Sequence, residues 1–288
     1  MIRIIGFFVG LGFTLVVLIA FFAGVGPAFG ELAKYGQFVA PTAEHEFHKY
    51  PREARVPTDG VFAHWDQQQL QRGYKVYKEV CSACHSLRHV AIRDLHQLGY
   101  TENQVKAEAA TWTVPGVDPN TGEATTRPGL PTDYFPSPYP NDIAARAANN
   151  NAIPPDLSLI TKARHDGTNY VYSLLTGYQE APAELAEEFP EFTTPDGLHY
   201  NPYFHSLNIA MAPPLTSAGQ VTFDDGTEAS VDQMSNDVAA FLQWAGEPTL
   251  VKRKQTGFWF MGFLLFATIL AWFAKKQVWS NVKPRRDD

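Results

Sequence analysis

The sequence predicts a mainly α-helical domain with long irregular insertions, placed between two apolar terminal helices. Three observations support this fold class. Charge-free apolar stretches lie near both ends of the 288-residue chain. Apolar stripes with a helical period lie between them, and segments rich in proline, glycine and turn residues separate these stripes. The chain is long enough for one large domain or two small ones.

The N-terminal apolar stretch covers residues 4–25 and follows Arg3. Ala28-Phe29-Gly30 has the small-x-small pattern of a signal-peptide cleavage site. The apolar stretch is nevertheless longer than the roughly 7 to 15 residues of a signal h-region, which favours a retained anchor. We interpret residues 1–30 as a cleaved signal peptide or a retained membrane anchor, and both alternatives export the residues that follow.

A helix is predicted over residues 67–85, with Asp66 as its N-cap. Gly73 lies inside this helix, where glycine costs about 1 kcal/mol relative to alanine. A glycine at such a position usually allows another backbone to approach closely. The helical stripe consists of Leu70, Tyr74, Tyr77 and Cys81.

The end of this helix carries the only two cysteines of the chain, Cys81 and Cys84, followed at once by His85. A redox disulfide is one alternative, but such motifs lie next to a βαβ unit that this sequence does not predict. A zinc site is another, but it needs four ligands and no second CxxC occurs. CxxCH is the pattern of covalent c-type haem attachment. We therefore predict one haem bound through both thiols, with His85 on the iron.

The remaining segments follow from the same signals. Further helices are predicted over residues 230–246 and near residues 170–176. Residues 113–140 are predicted to form an extended surface loop, and residues 178–204 are similar. Thr222–Glu228 is predicted to form a hairpin.

Met211 is the candidate for the sixth iron ligand. Of the other methionines, Met1 is terminal, Met261 lies in an apolar terminal stretch and Met234 lies on a helical stripe where core packing is expected. Pro213-Pro214 stiffens the chain after Met211. His/Met ligation raises the haem potential and fills the coordination sphere, which indicates electron transfer. The alternative is bis-histidine ligation by His89 or His96, both close to the CxxCH motif.

The C-terminal apolar stretch, residues 257–274, would rise about 27 Å as a helix, enough to span a bilayer. Five cations follow it and three precede it, which places the C-terminus in the cytoplasm. Those that precede it are Lys252, Arg253 and Lys254, and those that follow are Lys275, Lys276, Lys283, Arg285 and Arg286. Residues 31–250 hold 14 cations and 28 acids. This acidic exported part is expected to repel nucleic acid and attract basic partners.

Several long stretches strongly resemble the cytochrome c1 family and occur in the family's order. They are DQQQLQRGYKVYKEVCSACHSL, RPGLPTDYFPSPYPN, AARAANNNAIPPDLSLITKARHDG, YVYSLLTGY and NPYFHSLNIAMAPPL. The resemblance covers about residues 45–283. It implies a class I cytochrome c-like haem domain at residues 31–250. It also implies a transmembrane helix with a cytoplasmic basic tail at residues 251–288.

The resemblance implies the same four haem contacts, at Cys81, Cys84, His85 and Met211. It also implies that Arg164 pairs with a haem propionate. On residue type alone, Pro155 and the leucines are equally typical of a core, and Arg164 of a solvated surface. The implied pocket residues are Asn149, Ala152, Pro155, Tyr170, Leu174, Leu175, Phe204 and Ile209.

The family also implies a function. Its members are the haem subunit of the cytochrome bc1 complex, which passes electrons from the Rieske iron–sulfur protein to a soluble or membrane-tethered cytochrome c. The implied partners are therefore a cytochrome b subunit, the Rieske protein, a cytochrome c and membrane lipid, in a dimeric complex. The expected location is the bacterial inner membrane, with the haem domain in the periplasm. A free-standing membrane-anchored cytochrome that shuttles electrons to an oxidase is the alternative.

Overall fold

The structure is a computed structural model, and it describes residues 2–36, 40–58, 60, 62–280 and 282. It is mainly helical, as predicted. Two short 3-10 segments lie at Cys81–Ala83 and Ile92–Leu98. The α-helices are α1 (Ile2–Tyr35), α2 (Ala43–Phe47), α3 (Gln67–Glu79), α4 (Glu102–Ala110), α5 (Asp142–Ala148), α6 (Ile160–Ala163), α7 (Gly167–Leu175), α8 (Ala183–Glu188), α9 (Val231–Gly246) and α10 (Leu250–Trp279). The strands form antiparallel pairs, β1 (Thr113–Val117) with β2 (Ala124–Pro128) and β3 (His199–Tyr200) with β4 (Asn208–Ile209).

The core is centred on the crossing of α3 and α9. A Cβ built on Gly73 would lie 2.0 Å from the Asp237 backbone oxygen and 2.7 Å from the Phe241 Cβ. The predicted close approach at this glycine is therefore confirmed. Next to it, the rings of Tyr77 and Phe241 lie 5.7 Å apart, and those of Phe241 and Trp244 also lie 5.7 Å apart. This aromatic packing is buried, and it fixes the helix that leads directly into the CxxCH motif.

Replacement of Gly73 by alanine is expected to destabilise the domain by about 1 to 3 kcal/mol or more, the usual cost of overpacking a core. The cause is the Asp237 backbone oxygen, which cannot move without displacing α9. Gly257→Ala is the matched control, because a Cβ there meets nothing within 4 Å. Urea unfolding of both variants measures the difference. Equal stability of Gly73→Ala and the parent would show that the two helices are not in close contact.

The helix predicted over residues 67–85 is shorter than expected. α3 ends at Glu79, and residues 81–83 form a 3-10 turn instead. The Ser82 hydroxyl donates to the Lys78 carbonyl oxygen at 2.7 Å, a bond that links the 3-10 turn to the last turn of α3. Both thiols therefore lie on a tight turn and not on an α-helical face.

Three other predictions about the insertions are wrong in part. Residues 113–140 contain the β1–β2 hairpin, closed by a hydrogen bond of 2.9 Å from the Asp118 amide to the Glu123 carbonyl. Residues 178–204 contain α8, which forms because Leu185 is buried. Thr222–Glu228 forms a turn without paired strands, in which the Thr227 amide donates to Asp225 at 3.0 Å.

The terminal helices are longer than the charge-free stretches. The candidate membrane spans are Arg3–Tyr35 and Leu250–Trp279, whose most apolar 18-residue windows have mean hydropathies of 2.7 and 1.9. Both are long and apolar enough to cross a bilayer. Lys252 to Lys254 lie in the first turns of α10, and Lys275 and Lys276 in its last turns. The predicted cations Lys283, Arg285 and Arg286 lie outside the described residues.

Candidate haem-binding site

The CxxCH motif forms one tight turn. The amides of Cys84 and His85 both donate to the Cys81 carbonyl oxygen, at 3.1 and 2.9 Å. Residues three apart in a 3-10 turn project from the same side, so the two thiols can reach one edge of a planar ligand. Both cysteines are half-buried and are not joined by a disulfide. The 3-10 turn thus supplies the geometry that sequence reasoning had assigned to an α-helix.

The chemistry of the thiols disfavours the alternatives. Burial, with a smaller effect from Cys84, raises the pKa of the Cys81 thiol to about 12. A redox CxxC motif uses a reactive thiolate, which needs a lowered thiol pKa. Within the described part of the chain, no group of three or more His, Cys, Asp or Glu side chains is placed to hold a metal. The turn therefore offers neutral thiols for thioether bonds.

His85 is oriented by a backbone contact. Its Nδ1 lies 2.8 Å from the Pro155 carbonyl oxygen, so Nδ1 carries the proton and donates, and Nε2 is left as the ligand atom. Burial lowers the pKa of His85, which favours the neutral imidazole that binds iron. Pro155, which the family implied as a pocket residue, thus acts through its carbonyl group.

Asp156 holds this loop against the motif and was missed by sequence reasoning. Its carboxylate accepts from the Ser86 hydroxyl at 2.7 Å and from the Arg88 amide at 2.9 Å. Burial would raise the pKa of Asp156, but these hydrogen bonds hold it below its usual value. No sequence signal identified the residue, because its partners lie about 70 positions away along the chain.

Met211 lies at a bend two residues after β4, where it is half-buried and packs against the main core. The Tyr178 hydroxyl donates to the Met211 carbonyl oxygen at 3.0 Å. Met234 is fully buried in the core, as expected. His89 and His96 are exposed, and the ring of His96 bonds to the Arg93 carbonyl at 2.8 Å. These contacts favour Met211 over either histidine as the second axial ligand.

The other implied pocket residues come from two stretches of the chain, residues 149–175 and the segment that leads to Met211. The Asn201 amide group donates to the Leu174 carbonyl at 2.8 Å and joins the two stretches. Leu175 and Ile209 are buried. Arg164 is exposed and hydrogen-bonded to the Tyr170 hydroxyl. The half-buried members are Asn149, Ala152, Tyr170, Leu174 and Phe204.

This donor set fits a covalent haem. It combines two neutral thiols, a neutral imidazole held through Nδ1, a thioether on a bend whose carbonyl is hydrogen-bonded to Tyr178, and mainly apolar neighbours. An exposed arginine suits a propionate, because a carboxylate needs a cation or hydrogen-bond donors. Cys81, Cys84, His85, Met211 and Arg164 are therefore candidates for the contacts with haem.

Two ion pairs of Glu247 link α6, which precedes Arg164, to the first turn of α10. Glu247 accepts hydrogen bonds from Arg253 and Lys162, and these hold the pKa of Glu247 at about 2. The Thr161 hydroxyl also donates to the Leu242 carbonyl, at 3.3 Å. The start of the C-terminal helix is therefore tied to the segment that presents Arg164.

Glu247→Gln is expected to destabilise the domain at neutral pH, because it removes a carboxylate that the folded state keeps ionised. The ordinary pKa of this group is 4.5 and its folded value is about 2. Its contribution is thus complete above pH 4.5 and declines as the pH falls towards 2. Urea unfolding from pH 7 downwards should show the gap between parent and variant narrowing below about pH 4.5. A gap that is constant with pH would contradict the ionic role.

The fold and site define a haem protein of the c type with candidate membrane-spanning helices. The profile of the Cytochrome C1 family matches residues 56–282. Similar proteins include the mitochondrial cytochrome c1-2 heme protein of Solanum tuberosum, 45% identical over 249 residues, 86% of this chain and 91% of that protein. Cytochrome c1 of Rhodospirillum rubrum is 45% identical over 233 residues, and the match covers 78% of this chain and 85% of that protein. The cytochrome b/c1 protein of Bradyrhizobium diazoefficiens is 45% identical over 237 residues, 77% of this chain and 34% of that longer protein.

The chain belongs to the cytochrome c1 family. It is therefore a heme protein of electron transport with c-type haem. Cytochrome c1 is the haem subunit of the cytochrome bc1 complex, an oxidoreductase.

Proposed function

We propose that this chain passes single electrons from the Rieske iron–sulfur protein to a cytochrome c, through one haem held by Cys81 and Cys84 with His85 and Met211 as axial ligands. The observation that carries the proposal is the orientation of His85 by the Pro155 carbonyl at 2.8 Å, which leaves Nε2 for iron. When bound, the haem supplies the one-electron chemistry.

The residues of the chain have separate tasks in this proposal. Pro155 and Asp156 fix the imidazole and its loop, so the ligand geometry changes little when the iron changes charge. The Tyr178 hydroxyl donates to the Met211 carbonyl oxygen and so holds the segment that carries Met211. His85 and Met211 together would leave the iron no open position for small molecules, so the site would support electron transfer and not catalysis at the metal.

We infer the arrangement in the membrane from the distribution of apolar residues and cations. Residues 1–30 form a signal peptide or retained anchor, residues 31–250 a periplasmic haem domain, and residues 251–288 the spanning helix with a cytoplasmic tail. Lys252 to Lys254 on one side and Lys275 and Lys276 on the other delimit the span. Membrane lipid is then a partner along the whole of its apolar length.

The expected complex contains a cytochrome b subunit and the Rieske protein, in dimeric form. The name of the Bradyrhizobium relative, which joins b and c1, supports adjacency to a cytochrome b. Mild detergent extraction followed by affinity purification of this chain should yield both subunits, together with quinol–cytochrome c oxidoreductase activity. Recovery of the haem protein alone would favour the free-standing shuttle.

Acidic residues on α8 are the better of two candidate landing surfaces for a basic cytochrome c. The other surface is partly neutralised, since Asp224 pairs with Lys75 at 2.9 Å and Asp225 with Arg72 at 2.6 Å. Glu191 and Glu228 flank the two groups in sequence. In the described part of the chain, no ion pair involves the three glutamates of α8, which are Glu184, Glu187 and Glu188.

Neutralising α8 should therefore slow reduction of a basic cytochrome c at low salt by about tenfold, the lower end of electrostatic steering. The variant carries Glu→Gln at the three α8 positions, and Asp224→Asn is the control, for which we expect a smaller effect. Stopped-flow reduction at several ionic strengths measures the rates. A parent rate that does not depend on salt would contradict steering. A larger effect of Asp224→Asn than of the α8 variant would assign the docking of cytochrome c to the surface around Asp224 instead.

A further inference from the structure

The segment between the N-terminal part of the haem domain and α3 is bonded to the first turns of α10. The Lys254 ammonium donates to the Thr58 carbonyl at 2.7 Å, and the Gln255 side-chain amide donates to the Ala63 carbonyl at 3.1 Å. The Trp65 indole N–H donates to the Pro248 carbonyl at 3.3 Å. These bonds fix the height of the segment along the helix axis.

The residues that hold this segment, Pro248, Lys254 and Gln255, lie just before Gly257, where the apolar stretch of α10 begins. Gly60 lines a groove of about 370 Å³ together with Lys254, Gly257, Phe258 and Met261. Met261 lies four residues beyond Gly257, the first residue of the charge-free stretch, which corresponds to a rise of about 6 Å along the helix. A loop residue that lines the same groove as Met261 is therefore level with the edge of the hydrocarbon layer when α10 spans the bilayer.

Phe62 points away from the protein at this level. Its side chain is 93% exposed, whereas the next residue, Ala63, is 1% exposed. An exposed phenylalanine ring on a membrane-proximal surface is stabilised when it leaves water for the boundary between headgroups and acyl chains, where interfacial segments bury Trp, Phe and Leu side chains.

We propose that Phe62, with Gly60 beside it, forms a second membrane contact that inserts into the outer interfacial region of the bilayer next to α10. The occupant of this surface is lipid, because the surface is continuous with the lipid-facing beginning of the span. The contact rests on the proposed membrane anchorage through α10. Together with the two hydrogen bonds from α10 and the one to Pro248 just before it, this contact fixes the tilt of the haem domain relative to the membrane.

The test uses single-cysteine labels in the complete complex reconstituted into phosphatidylcholine vesicles. Cys81 and Cys84 are consumed by the haem, so Phe62→Cys provides one reactive thiol for a small fluorophore. Tyr50→Cys is the matched control, because Tyr50 is 90% exposed and its neighbour Lys49 bonds to Pro202, away from α10. Trp259→Cys, on the span itself, reports on the anchorage.

Iodide quenches labels in water, and lipids brominated near the headgroup end of the acyl chain quench labels at the interface. For a side chain about 5 to 10 Å into the headgroup boundary, we expect iodide quenching at position 62 to be at least about threefold weaker than at position 50. We expect bromolipid quenching at positions 62 and 259 but not at 50. Equal iodide quenching at 62 and 50 would overturn the inference.

Two further outcomes are informative. Shielding of position 62 from both quenchers would mean that another subunit covers Phe62, which also overturns the inference. Strong iodide quenching at position 259 without bromolipid quenching would place this position in water, which would refute the proposed anchorage itself and with it the membrane contact. Quenching by bromolipid at 259 but not at 62 leaves the anchorage intact and rejects only the second contact.

Discussion

Met211→Leu is expected to lower the reduction potential of the haem by at least about 0.1 V, because axial ligands set haem potentials over a range of about 0.8 V. Leucine fills a similar volume but offers no ligand atom, so the high-potential His/Met state is lost. A cytochrome c acceptor would then be reduced slowly, and turnover of the complex should fall with the potential. Redox titration of the purified membrane complex, followed by its optical spectrum, measures the change.

Met234→Leu is the matched control for this prediction. Met234 is fully buried on α9, so the same substitution there changes packing without removing a candidate ligand. A volume-conserving swap of this kind costs less than about 1.5 kcal/mol. We expect its potential and spectrum to equal those of the parent. If Met211→Leu also kept the parental values, the second axial ligand would have to be another residue, and His89 and His96 would be tested next.

The double substitution Cys81→Ser and Cys84→Ser is expected to remove covalent haem altogether. Serine hydroxyls do not form the thioether bonds, and His85 with Met211 alone would hold the haem by coordination only. We expect the variant chain to carry no haem on a denaturing gel, and we expect the complex to lose oxidoreductase activity. Haem staining of the separated subunits, together with the turnover rate, measures both effects.

Ser82→Ala controls for disturbance of the turn itself. Ser82 lies between the two cysteines and its hydroxyl bonds to the Lys78 carbonyl, but it carries no thiol. Its variant should retain stained haem and most of the activity. Haem that stayed attached in the double serine variant would show that the cysteines are not the attachment points. Loss of haem in Ser82→Ala would show that the turn geometry, and not the thiols alone, decides attachment.

Local patterns predicted much of the fold. Helix α9 begins next to its Ser230 cap as expected, and Gly73 correctly indicated a close helix crossing, because both signals depend on short-range periodicity and backbone space. The end of α3 could not be predicted, since the helical stripe continues to Cys81 although the backbone changes to a 3-10 turn after Glu79. The β1–β2 hairpin was also missed, because the proline and glycine in β1 and the proline in β2 resemble a loop.

In the candidate site too, the sequence indicated some residues, whereas the contacts that orient them required the structure. Cys81, Cys84 and His85 form a contiguous motif, and Met211 could be selected by elimination among four methionines. The groups that orient them lie far away in sequence, with Pro155 opposite His85 and Tyr178 opposite Met211. A backbone carbonyl that accepts from an imidazole leaves no trace in residue type. Such supporting contacts therefore require the folded structure.

The covalent haem is tested most directly by the mass of one tryptic peptide from the purified chain. Cleavage after Lys78 and Arg88 releases EVCSACHSLR, which contains both cysteines and His85. The predicted result is a peptide heavier than its sequence by one haem, with neither thiol available for alkylation. A peptide of unmodified mass that is alkylated at Cys81 and Cys84, or one lighter by two hydrogens as in a disulfide, would contradict haem attachment at this motif.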